Sequence, residues 1–121
     1  MWWVLAIALL CGLYIVLRSS LGAYDRSAHQ RDVYTLSVSS GQPGHTLPVF
    51  AANQGDTVSL IVSSDRNAEL HVHGYEKSVA INPAGKVTLT FVARYAGNFP
   101  IHVHERNGTM LQLAVLEVQP R

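Results

Sequence analysis

From Val33 onward, apolar residues recur at every second position in short runs separated by turn residues. In "VYTLSVSS" (33–40), Tyr34, Leu36 and Val38 alternate with Thr35, Ser37 and Ser39, the period of a half-buried strand. "TVSLIVSS" (57–64) places Val58, Leu60 and Val62 on one side, and "KVTLTFVA" (86–93) does the same with Val87, Leu89 and Phe91. "AELHVHGY" (68–75) turns Leu70 and Val72 inward, and "NFPIHVH" (98–104) turns Phe99, Ile101 and Val103 inward. "KSVAI" is a short strand. "LPVFAA" is weaker, because Pro48 cannot donate to a ladder and suits only an edge or a bulge. "MLQLAVLEV" (110–118) is apolar on both faces, which suits a central, covered strand. The stretches "GQPGH", "NQGD", "NPAG" and "ERNGT" supply turn chemistry between the runs. Short strands at regular spacing with no helical period predict an all-β sandwich or barrel.

The amino-terminal segment follows another rule. "WWVLAIALLCGLYIVL" (2–17) has no charged side chain, and as a helix it reaches about 24 Å, against about 30 Å for a hydrocarbon core. Continued to Tyr24, it reaches about 33 Å if Arg18 snorkels, with Trp2, Trp3 and Tyr24 at the two interfaces. Nothing basic precedes the tryptophans, and no small-residue cleavage pattern follows, so a removed signal is disfavoured. "ALLCG" carries Leu10 where a lipoprotein signal needs a small residue, and the apolar run continues past Cys11. The expectation is a single membrane-spanning helix over 1–24, a linker over 25–32 in which His29 is solvated, and one β domain over 33–121. Arg18, Arg26 and Arg31 by charge alone place the carboxy-terminal side in the cytoplasm. A signal-anchor commonly leaves that domain outside.

Four of the 6 histidines stand in two copies of one tripeptide, His71-Val72-His73 and His102-Val103-His104. At positions i and i+2 of a strand both side chains leave the same face, about 6.5–7 Å apart. If the two strands are neighbours, the imidazoles come within reach of one ion. Imidazole suits copper, zinc and nickel, and the Met110 thioether adds a preference for cuprous copper. A lone outward histidine is ordinarily a polar surface residue, so strand adjacency decides between a site and a decorated face. The parity that buries Leu70 and Val72 turns the histidines away from the core, so an ion there is exposed unless a loop such as "GYEK" covers it. Glu69 shares the parity of His71 and is a candidate to orient an imidazole. His45, in a turn, reads as structural.

Composition removes other classes. The net charge is +1 and no basic block offers a nucleic-acid surface. The 1 cysteine, Cys11, lies in the apolar segment, so the β domain has no disulfide and no thiolate ligand. No Ser-His-Asp arrangement is suggested by spacing, and the chain reads as a non-enzyme. "NGT" (107–109) matches a glycosylation acceptor only formally, and "GDT" and "SSDRN" read as strand-end turns.

The succession "NQGDTVSLIVSSDRNAELHVHGYE", "INPAGKVTLTFVARYAGNFPIHVHE" and "LAVLEVQPR" resembles the cupredoxin-like domains over about residues 33–121. That resemblance implies a Greek-key β-sandwich in an extracytoplasmic compartment, and makes copper the expected cofactor with zinc as the second candidate. It implies His71 or His73 at the first ligand position, His104 and Met110 among the later ones, and the usual cysteine at Val103. Without a thiolate the domain is not a blue copper centre. The expectation is a periplasmic or extracellular copper-handling protein (storage, delivery or tolerance) held at the inner membrane, its metal on His71, His73, His102, His104 and Met110. A metal-free module docking a membrane or periplasmic protein is the alternative.

Overall fold

A computed structural model describes residues 1–21, 29–39, 46–83 and 85–121. Tyr24, Arg26 and His45, and the side chains of Trp2 and Arg18, lie outside the described residues. Helix α1 (Trp2–Leu21) precedes β1 (Arg31–Val38), β2 (Val49–Asn53), β3 (Thr57–Ser64) and β4 (Ala68–Val72). Then come β5 (Lys77–Ile81), β6 (Lys86–Val92), β7 (Gly97–Glu105) and β8 (Met110–Gln119).

The strands form two sheets, one ordered β1-β3-β6 and the other β2-β8-β7-β4-β5. β1 lies parallel to β3, and β2 parallel to β8, while the remaining neighbours are antiparallel. Parallel neighbours cannot be joined by a tight hairpin. The chain accordingly passes from β1 to β2 in the opposite sheet and back to β3, which ties the two layers together.

The alternation sets the core. Val58, Leu60 and Val62 of one sheet are fully buried, as are Leu70, Val72, Ile101, Val103, Ala114 and Leu116 of the other, in one cluster. Each such aliphatic side chain contributes about 1.5–3 kcal/mol through removal from water. β3 and β5 run over the residues the pattern predicts, and β2, which begins just after Pro48, is an edge strand. Tyr34 is only half-buried: its ring stacks on Phe50 at 4.3 Å, linking β1 to β2 of the other sheet. Val87 and Leu89 are also half-buried, because β6 is an edge strand.

Two expectations change. β8 is central, between β2 and β7, but its first residues Met110 and Leu111 are exposed, so that end is not covered on both faces. And among the described residues no helix is long and apolar enough to cross a membrane. Helix α1 does exist, with Trp3, Leu9, Leu10, Leu13 and Ile15 all more than half exposed. The span expected over 1–24 is not supported beyond that helix.

Candidate metal centre

β4 and β7 are antiparallel neighbours, with His71 opposite His102 and Glu69 opposite His104. The adjacency that the histidine pairs needed is therefore present. Leu70, Val72, Ile101 and Val103 fill the core between them, which leaves the imidazoles on the outer face of the five-stranded sheet. Between β7 and β8 the register shifts at Ile101/His102: Ile101 faces Ala114, while His102 faces Gln112 and His104 faces Met110. This bulge adds one residue to β8 and sets Gln112 and Met110 beside the two histidines of β7.

His71, His73 and His104 each offer a ligand atom, and these atoms all lie within 4.8 Å of one another. The His71 ring is 4.3 Å from His73 and 6.0 Å from His104, centroid to centroid. His102 stands next to this group, edge-on to His73 at 4.6 Å. β4 ends at Val72, so His73 belongs to the following turn. That turn is pinned. The His73 N–H donates to the Pro100 carbonyl at 3.1 Å, and Gly74 takes φ +85° where a Cβ would lie 2.5 Å from Phe99 Cδ1. Only glycine permits that approach. The next residue, Tyr75, packs its ring against Phe91 and Phe99, and its hydroxyl donates to the Tyr95 carbonyl at 2.7 Å and accepts from the Tyr95 N–H at 3.0 Å.

Among the described residues, His73 Nε2 and His102 Nδ1 are buried without a hydrogen-bond partner. A buried imidazole nitrogen left unpaired is costly unless it has another use. Burial first, then the neighbouring His73 and His104, holds the His102 imidazole below its ordinary 6.5, against the hydrogen bond it donates to Gln112. A neutral imidazole is the form that binds metal. Glu76, at φ 49°, brings Oε2 to 3.3 Å from His71 Nε2. Three converging imidazoles with an unpaired buried nitrogen fit a late first-row ion such as copper or zinc.

Of the sequence candidates, His71, His73 and His104 come together and His102 adjoins them. Met110 stands across from His104 and is 56% exposed. Glu69 is exposed opposite His104, and the carboxylate that touches an imidazole is Glu76 instead. Glu76 and Gln112 were not identified from sequence. Glu76 follows His-Gly-Tyr in a turn whose reversal the pattern does not reveal, and Gln112 reaches His102 only through the bulge. Val103 is fully buried opposite Leu70, where no ligand could reach an outer-face ion. "NGT" is a turn in which Asn107 Oδ1 accepts the Thr109 N–H at 2.8 Å.

No protein-family model and no curated protein matches the chain. Solved structures do. A chain of a heme-copper terminal oxidase dimer aligns at TM-score 0.54 with 14% identity, over 95% of this chain and 95% of that one. Blue copper oxidase from Nitrosomonas europaea aligns at TM-score 0.55 with 21% identity, over 77% of this chain but 40% of that one. This chain thus spans less than half the length of the second. At these identities the likeness carries the fold alone, a cupredoxin-like β-sandwich.

Proposed function

We propose that the outer face of the five-stranded sheet is a copper site, formed by His71, His73 and His104 with His102 and Met110 at its side, and that it serves copper handling rather than blue-copper electron transfer. The observation that carries this reading is the convergence of three imidazole nitrogens within 4.8 Å of one another. The two structural neighbours, both copper proteins by name, support copper over zinc. A bound ion would supply a Lewis-acidic, redox-active centre. The chain's own contribution is to hold three imidazoles on two hydrogen-bonded strands and one pinned turn, so little ordering remains to be done on binding. His104 and Met110 are exposed, which suits an ion that is received and passed on. The absence of any cysteine from the β domain argues against a thiolate-tuned electron carrier.

The same reading places the domain outside the cytoplasm, attached to a membrane through α1, without catalytic activity of its own. A competition titration of the full chain with cuprous, cupric and zinc ions tests it, beside a variant with all four paired histidines changed to alanine. One equivalent of copper, bound tightly and lost in the variant, is expected. Equal weak binding by both proteins would sink the proposal and leave a metal-free docking module.

A further inference from the structure

Tyr75 and Lys77 flank Glu76 in sequence but face elsewhere. While Glu76 reaches back to His71, its two neighbours line a separate cleft of ≈ 290 Å³ with Thr90, Phe91, Arg94 and Tyr95. The cleft lies where edge strand β5 of one sheet meets edge strand β6 of the other. Among the described residues its wall holds two cations, Lys77 and Arg94, and no acidic side chain. Neither cation has an ion-pair partner among the described residues.

Both are delivered from fixed backbone. Lys77 opens β5, paired with Val72. Arg94 is held through its carbonyl, which accepts from Gln54 Nε2 at 2.9 Å, and through its N–H, which donates to the Val92 carbonyl at 2.9 Å. The rest of the wall is Thr90, Val92 and three aromatic rings. The Tyr75 hydroxyl is already occupied at both the donor and the acceptor side by Tyr95, so this residue presents a ring face. Tyr95 lies over it at 5.6 Å and is 59% exposed. Phe91 closes the floor, almost wholly buried.

We propose that this cleft binds a small carboxylate carrying a single aromatic ring. The guanidinium fork of Arg94 suits a planar carboxylate in two-point contact, and Lys77 adds a point charge. The tyrosine and phenylalanine rings take the apolar body of the ligand by stacking. The volume lies at the low end of small-molecule sites, which fits one ring and excludes a dinucleotide. Two like charges around one cleft repel each other until an anion offsets them. The site shares no metal-ligating residue with the histidine cluster, so it stands or falls independently of the copper reading.

The test is a titration of the full, isotope-labelled chain in nonionic micelles with benzoate, acetate, benzyl alcohol and inorganic phosphate. Amide shifts of Lys77, Thr90, Val92 and Tyr95 are followed. Saturable benzoate shifts confined to these residues are expected, with acetate and benzyl alcohol about tenfold weaker or more, since each lacks one half of the recognition. Lys77→Gln and Arg94→Gln should each weaken benzoate several-fold and together abolish it, while the remaining amide spectrum reports an intact fold. The four-histidine alanine variant should bind benzoate as the parent does. Shifts that do not saturate, undiminished binding by the double variant, or phosphate binding as tightly as benzoate would each overturn the proposal.

Discussion

Glu69 stands near the start of β4 and Glu76 in the turn that follows it, and of the two only Glu76 touches an imidazole. Its Oε2 lies 3.3 Å from His71 Nε2, close enough to orient that ring or to join it at an ion. In either role its loss weakens the site. Glu76→Gln is expected to lower copper affinity by about tenfold, the lower end of what a carboxylate partner of a histidine ligand contributes. Glu69→Gln should leave affinity unchanged. Isothermal titration of both variants with cupric ion checks this, and equal effects would remove Glu76 from the site. The histidines themselves were legible because two i, i+2 pairs are rare in so short a domain and strand parity fixes their common face. Which of them converge was not. His102 faces His71 directly in the register, yet it is His104 that completes the group, and His102 bonds to Gln112 of the next strand.

At the scale of elements, alternation was a sufficient guide wherever one face of a strand meets the core. β3 and β5 begin and end where the sequence pattern places them. Alternation says nothing about which strands are neighbours, so the pairing of β4 with β7 had to come from the structure. Nor does it reveal a bulge, since the residue that β8 inserts near Leu113 looks like any other apolar position. Helix α1 illustrates the converse case: apolar content predicts a helix without saying what covers it. Trp3, Leu9, Leu10, Leu13 and Ile15 are exposed apolar side chains along one helix, and clustered exposed apolar side chains mark an interaction site. With membrane attachment as its proposed role, the full chain should sediment with lipid vesicles, and a chain lacking residues 2–17 should stay in the supernatant with its β domain intact. Cosedimentation of both, or of neither, would separate α1 from any bilayer.

The whole molecule depends on a carboxylate that the sequence presents as a simple turn residue. Asp56, in "NQGD", is fully buried. It accepts the Gln30 N–H ahead of β1 and the Asn53 N–H at the end of β2, each at 2.9 Å, and pairs with Arg121 beyond β8 at 3.2 Å. Arg121 also contacts His29 at 3.2 Å, so three segments from both sheets meet at one side chain. No local pattern could show this, because each partner lies far away or belongs to the backbone. Burial opposes the charged form of Asp56, but the two backbone donors and Arg121 outweigh it and hold the group below its ordinary 3.8. Nearby Asp32 is pushed the other way, by burial first and then by Asp56. The two must be separated, so the informative comparison is Asp32→Asn against Asp32→Asn/Asp56→Asn. Asparagine cannot accept both N–H groups and leaves Arg121 unpaired, which costs about 2–4 kcal/mol at neutral pH. A carboxylate whose folded pKa lies below its unfolded one stabilises fully above the unfolded value and loses that contribution as pH falls through the folded value. The stability gap between the two proteins, measured by urea unfolding, should therefore be constant at neutral pH, shrink below 3.8 and vanish in stronger acid. A gap that persists unchanged through the acid range would mean that Asp56 acts by shape and hydrogen bonding alone, with no contribution from its charge.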